Sequence, residues 1–247
     1  MTLARFEYLP ARDLGLTLLQ RLRSPAREPD LFETAIHRTW WTAVRAYLRV
    51  FHRLSIGGLE NLPARPPFIL AANHTSHLDA LVLASGIRRR DRDRAHPLAA
   101  EDTFFERPFR AFFAAAFVNA LPVMRGAPRR HDWERLRSRL LEERCVYVVF
   151  PEGTRSRTGR LGAFRAGIGM LAAGTPVPVV PCHVSGAFEA WPSGRRLPRP
   201  RRITLRIGRP LVFAGESDRK SGWLRVAERC REAVATLSPR SRDRSPE

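Results

Sequence analysis

His74 and Asp79 stand five residues apart in Asn73-His74-Thr75-Ser76-His77-Leu78-Asp79, a stretch equipped for acid–base chemistry. On one continuous helix that spacing sets the two side chains about 140° apart, and they do not meet. They meet if His74 lies in a strand-to-helix turn and Asp79 in the first helical turn. A carboxylate on one imidazole nitrogen then fixes the tautomer and leaves the other nitrogen to take a proton from a substrate hydroxyl. A satisfied polar cluster at a turn is the plainer reading of the same residues, and His77, two positions from Asp79, competes as the base. A second constellation, Phe150-Pro151-Glu152-Gly153-Thr154-Arg155-Ser156, joins a glycine turn to a hydroxyl and a guanidinium. Such a turn can offer backbone N–H groups and one bidentate donor to a phosphate. It lacks the glycine spacing and the terminal Lys-Ser/Thr of a nucleotide P-loop. Arg125, after Leu121-Pro122-Val123-Met124, is a further candidate phosphate ligand. Taken singly, the glycine turn and Arg125 both read as ordinary surface.

These residues need elements to hold them. Pro66-Pro67 precedes Phe68–Ala72, a short apolar run that predicts a buried strand ending just before His74. Thr75 or Ser76 is placed to cap the following helix, which runs through Ala84. Cys145–Phe150 predicts a second buried strand that empties into the glycine turn, and Gly162–Ala173 a helix after it. Val177–Pro181 and Arg202–Ile207 predict further strands. His131–Arg144 predicts an amphipathic helix with Trp133, Leu136 and Leu140 on one face, and Phe104–Val118 a Phe- and Ala-rich helix facing core or lipid. Arg88–Arg94 reads as a charged loop. Nearer the start, Leu31–Ile56 carries Phe32, Ile36, Trp40, Val44, Leu48 and Phe51 at helical spacing, with Arg38, Arg45, Arg49 and Arg53 between them. Trp40, Trp41 and Tyr47 are rings of the kind that settle at head-group depth, so an interfacial helix and a core-covering helix fit equally. Strands alternating with helices predict a single α/β domain, a mixed central sheet flanked by helices, with an N-terminal amphipathic helix. The expected division is a helical region over 1–56, the sheet domain over 57–237 and a disordered tail over 238–247.

The whole-chain numbers narrow the partners. A formal net charge of +19 over 247 residues attracts polyanions: nucleic acid, anionic lipid head groups or phosphorylated ligands. Lys220 is the one lysine among 43 basic residues, so the charge is almost all guanidinium, suited to bidentate phosphate contacts. A GC-rich coding bias accounts for much of that arginine. The arginines are spread along the chain, with no basic arm and no nucleic-acid motif, which argues against nucleic acid. Cys145, Cys182 and Cys230 are odd in number and far apart, which gives neither a disulfide framework nor zinc-ligand spacing, and the histidines show no metal-ligand spacing. The start of the chain lacks secretory-signal character, and no stretch approaches the roughly 18 apolar residues of a membrane span.

Taken in order, Asn73-His74-xxxx-Asp79, Pro122-Val123-Met124-Arg125, Phe150–Ser156 and Val177-Pro178-Val179-Val180-Pro181 resemble the four motifs of the glycerolipid acyltransferase family, that of the 1-acylglycerol-3-phosphate acyltransferases. The resemblance spans roughly residues 56–210. It implies that His74 is the general base and Asp79 its orienting partner. Arg125, Glu152, Gly153, Thr154 and Arg155 would bind the acceptor's phosphate or shape its pocket, and Pro181 would lie near the acyl donor. The second block departs from the family, with Asn119 where Gly is frequent and Ala100-Glu101 where Lys or Arg is frequent. The implied reaction moves a fatty acyl group from acyl-CoA or acyl carrier protein to a lysophospholipid hydroxyl, with no cofactor and no metal. Lyso-ornithine lipid and lysophosphatidylethanolamine are alternative acceptors, and a basic nucleic-acid-binding protein is the alternative from another class. With the Leu31–Ile56 helix, the resemblance implies peripheral attachment to an anionic membrane surface, the cytoplasmic face of a bacterial inner membrane.

Overall fold

The chain was analysed as a computed structural model that describes residues 13–17, 20, 31–100, 117–123 and 130–239. Among the described residues, helix α1 (Leu31–Phe51) is followed by strand β1 (Ser55–Gly57). Then come β2 (Phe68–Ala72), α2 (Asp79–Gly86), β3 (Ala95–Ala100), β4 (Leu121–Val123), α3 (Arg130–Glu142) and β5 (Val146–Val149). The remainder is α4 (Gly167–Ala172), β6 (Val179–Ser185), α5 (Ala187–Ala190), β7 (Thr204–Ile207) and α6 (Lys220–Thr236). The seven strands among the described residues form one sheet in the order β1-β7-β6-β2-β5-β3-β4, parallel at each of these pairings except β6 with β7. This is the mixed α/β sheet that the alternation of strands and helices predicts.

The central strands are apolar throughout, Phe-Ile-Leu-Ala-Ala in β2 and Val-Tyr-Val-Val in β5, because helices cover both faces. On one face, Leu70, Ala72, Val146, Val148, Val180 and Cys182 pack with Trp41, Val44 and Leu48 of α1 and with Val82 and Leu83 of α2. On the other, Ile69, Ala71, Tyr147 and Val149 pack with Trp133, Leu136 and Leu140 of α3, with α4, and with Val226, Cys230 and Val234 of α6. Cys145, Cys182 and Cys230 are buried free thiols.

Several boundaries differ from expectation. The first helix stops at Phe51, five residues short of Ile56, because Arg53 turns left-handed (φ 46°) and Leu54 N–H bonds back to Leu48 C=O at 3.1 Å. Ser55–Gly57 is then free to pair with β7. The apolar stripe of α1 faces the core: Trp41, Val44 and Leu48 are at most 4% exposed, while Val50 is 82% exposed. The charged segment before β3 is a tight helical turn, Arg89–Arg94, and the helix expected from Gly162 begins only at Gly167. The hydroxyl cap expected of Thr75 or Ser76 is absent: Leu78 precedes α2, and Ser76 Oγ accepts the Leu78 N–H at 3.2 Å. Most of the Phe104–Val118 stretch, Arg125, and nearly all of the expected tail lie outside the described residues.

Candidate active site

β2 ends at Ala72 and α2 starts at Asp79, so the six residues between them turn at the C-terminal edge of the parallel strands, where open α/β sheets bind their ligands. Asn73 anchors the turn: its amide donates to Val184 C=O at 2.9 Å and accepts Val184 N–H at 2.8 Å, tying it to β6. Asp79 is fully buried, and its Oδ2 accepts Thr75 N–H at 2.6 Å and Ser76 N–H at 2.7 Å. The same oxygen lies 3.0 Å from His74 Nδ1. A carboxylate already fixed by two backbone donors thus holds the imidazole, and Nε2 is the ring nitrogen with no protein partner among the described residues. One face of that ring lies on Phe150, with centroids 4.0 Å apart and planes at 17°.

The second motif braces the first. Glu152 is 8% exposed and uses both oxygens on backbone N–H groups, His74 at 2.8 Å and Gly162 at 3.0 Å. Burial pushes its carboxyl above the usual range, and these two donors pull against that shift. Ser156 N–H returns a bond to His74 C=O at 2.8 Å. Glu152 therefore ties the His74 turn to the segment at Gly162, one backbone donor on each oxygen. Gly153 sits at φ 76°, and a Cβ there would come 2.9 Å from Arg165 Nε, so the turn admits the Arg165 side chain because position 153 has none.

His74, Gly153, Arg155 and Arg165 line one cleft of about 740 Å³. Its walls are otherwise mostly apolar, with Leu98, Val123, Trp133, Phe150, Ile168 and Trp223 among them. Arg155 lies against the ring nitrogens of His77, whose ring tilts on Trp191 at 5.0 Å. Burial, then the charge of Arg155, pushes His77 below the usual histidine range. Thr154 is exposed beside the cleft and does not line it. Pro181 is buried in β6 opposite Ala71, also away from the cleft lining, and its C=O accepts Gly208 N–H at 2.8 Å. The structure thus brings His74, Asp79, Glu152, Gly153 and Arg155 together, sets Thr154 and Pro181 apart, and leaves Arg125 undescribed. Sequence reasoning gave no role to Phe150 or Arg165. The aromatic residue at the strand end was a visible signal for Phe150, whereas nothing local marks Arg165.

Residues 53–185, more than half of the chain, match the family described as Acyltransferase. The chain belongs to the acyltransferase family. Among relatives of this acyltransferase, a chloroplastic 1-acyl-sn-glycerol-3-phosphate acyltransferase of Brassica napus is 33% identical over 156 residues, which cover 62% of this chain and 43% of that protein. A 1-acyl-sn-glycerol-3-phosphate acyltransferase of Pseudomonas aeruginosa is 28% identical over 205 residues, covering 81% of this chain and 74% of the other. The crystal structure of the 1-acyl-sn-glycerophosphate acyltransferase PlsC from Thermotoga maritima superposes with a TM-score of 0.62 at 24% identity, over 84% of this chain and 82% of that one. The fold is shared with it. The acyltransferase spans less than half the length of the first plant relatives it matches.

Proposed function

We propose that this acyltransferase moves a fatty acyl group from acyl-CoA or acyl carrier protein to the free hydroxyl of 1-acylglycerol-3-phosphate, giving phosphatidic acid. One observation carries the reading: His74 has Nδ1 held by a buried carboxylate while the residue lines an apolar cleft that also admits Arg155 and Arg165. An acyl chain suits the walls, and a phosphate suits the guanidiniums of Arg130, Arg155 and Arg165. The relatives from Brassica napus and Pseudomonas aeruginosa, both named 1-acyl-sn-glycerol-3-phosphate acyltransferases, point the same way.

In the mechanism proposed, His74 Nε2 takes the proton as the acceptor oxygen attacks the thioester carbonyl carbon. The tetrahedral oxyanion collapses, the C–S bond breaks, and the imidazolium returns the proton to the departing thiolate. The new C–O bond is the product ester, and no enzyme residue is acylated. Asp79 holds the tautomer and stabilises the imidazolium, in the manner of a buried triad carboxylate. The chain acts while attached peripherally to the cytoplasmic face of a bacterial inner membrane. Among the described residues no helix is long and apolar enough to cross a membrane, and Tyr47, Val50 and Phe51 of α1 are exposed beside its arginines.

The test supplies acyl-CoA and a panel of lysolipids to the purified chain and identifies products by mass spectrometry. Phosphatidic acid as the main product, lost in His74→Ala, is the expected result. Acylation of lyso-ornithine lipid or lysophosphatidylethanolamine in its place would reassign the acceptor, and no product with any lysolipid would sink the proposal.

A further inference from the structure

A second concavity, of about 580 Å³, opens between α1 and the helical turn Arg89–Arg94. Four guanidiniums line it, Arg38 from α1 and Arg89, Arg90 and Arg92 from the turn, with Asp93 the one acid in its wall. It lies at the far end of the sheet from His74. β3 begins directly after the turn, in register with the first residues of β2 and β5, whereas His74 follows the last residue of β2. Five residues of strand separate the two levels, roughly 17 Å.

Arg92 is built into this pocket. It is 7% exposed, its Nε and Nη2 donate to Ala84 C=O at 3.4 Å and Ile87 C=O at 3.1 Å, and it stands 5.9 Å from the centroid of the Trp41 ring. Its Nη1 group has no protein partner among the described residues. Two carbonyls and a ring thus fix a guanidinium while leaving one edge unused. Burial, then the charges of Arg45 and Arg89, hold Arg92 below the usual arginine range, against the opposing carboxylate of Asp93. Asp93 itself is engaged by Arg38, at 2.9 and 2.7 Å, and Asp91 has Arg90 at 3.7 Å. Arg89 is exposed and has no acid partner among the described residues. Positive charge therefore exceeds negative charge around a concave, preorganised donor.

We infer that this pocket binds a phosphate group, carried by a lipid head group at a membrane surface or by a soluble phosphate compound. A phosphate accepts several N–H donors at once and relieves the repulsion among the arginines. The inference rests on the pocket's own geometry and is independent of acyl transfer.

The experiment measures binding of the full chain to vesicles of phosphatidylcholine alone and of equal parts phosphatidylcholine and phosphatidylglycerol, and separately to inorganic phosphate. Arg89→Glu is compared with Arg135→Glu, which makes the same charge change at an exposed site on α3, across the sheet. We expect Arg89→Glu to weaken binding to the phosphatidylglycerol vesicles about tenfold and Arg135→Glu to stay within about twofold of the parent chain. Selective loss of inorganic phosphate binding in Arg89→Glu, with vesicle binding unchanged, supports the site and assigns its phosphate to solution. Equal weakening by both reversals means that only total charge matters and overturns the site. So does a parent chain that binds neither probe.

Discussion

Asp79 Oδ2 takes three hydrogen bonds at once while Oδ1 is buried and unpaired, which makes the two oxygens separable by substitution. In Asp79→Asn the amide oxygen can keep the three bonds while the NH2 takes the buried place of Oδ1 without an acceptor, so the turn keeps its bonds at some cost in stability and the charge is lost. We expect Asp79→Asn to retain the parent's circular dichroism and to lose much of kcat. His74→Ala should lose about 10²- to 10⁴-fold, the range of general-base catalysis. His77→Ala should lose far less, since His77 faces Arg155 and not the carboxylate. Glu152→Gln presents an NH2 to one of two backbone N–H groups and leaves that donor unsatisfied, at about 1–3 kcal/mol. Its melting temperature should fall together with kcat, while KM for the acceptor changes little. A pH effect belongs to His183 on β6. Its Nδ1 is buried without a partner, and burial, then Arg206, pushes its pKa down from 6.5 to about 4. The folded chain prefers neutral His183 and the unfolded chain takes up the proton. The stability linked to this group is therefore present above about pH 6.5 and lost as pH falls from there through about 4. In urea unfolding at about pH 7 and about pH 4.5, His183→Gln should lose less stability than the parent chain between the two conditions.

What the elements owe to local sequence varies along the chain. β2 and β5 are legible because strands buried on both faces are unbroken apolar runs, and α3 because Trp133, Leu136 and Leu140 repeat at helical spacing. β1 and β4 are three residues each, and β3 is Ala-His-Pro-Leu-Ala-Ala. Their extended form comes from partners distant in the chain, which no local pattern records. α6 did carry a signal, Val226, Cys230 and Val234 four apart, hidden among arginines and glutamates. The late start of α4 has a tertiary cause: Gly162 N–H is held by Glu152 and Arg165 N–H by Pro151 C=O, and those bonds keep residues 162–166 out of the helix. The candidate site divides the same way. The His74–Asp79 contact spans five residues and could be anticipated, whereas the Glu152 brace joins segments 78 residues apart. Helix packing supplies a further test. A Cβ at Gly169 of α4 would lie 2.3 Å from Trp223 Cα and backbone oxygen on α6. Backbone cannot yield as a flexible side chain does, so Gly169→Ala should destabilise by about 1–3 kcal/mol and lower the melting temperature.

At the scale of the molecule, α1 serves two surfaces. Trp41, Val44 and Leu48 close the core beneath it, and full burial of such side chains stabilises by about 1.5–3 kcal/mol each. A chain starting near Ser55 should therefore melt well below the parent. Outward, Val50 and Phe51 lie beside Arg49 and Arg53. If these residues meet the bilayer, Val50→Glu should reduce sedimentation with anionic vesicles at an unchanged melting temperature, and rising salt should reduce it further. The pairing of β1 with β7 also bears on how the chain is made. Ser55 finds its partner in Thr204, about 150 residues later, and synthesis at 5–20 residues per second takes roughly 7 to 30 s to cover that distance. Throughout that interval the ribosome holds an N-terminal segment whose neighbouring strand does not yet exist. Ribosome-stalled chains ending before Thr204 should leave residues 53–57 open to protease, and chains extended past the end of α6 should protect them. Closure of this edge of the sheet therefore waits on the synthesis of β7.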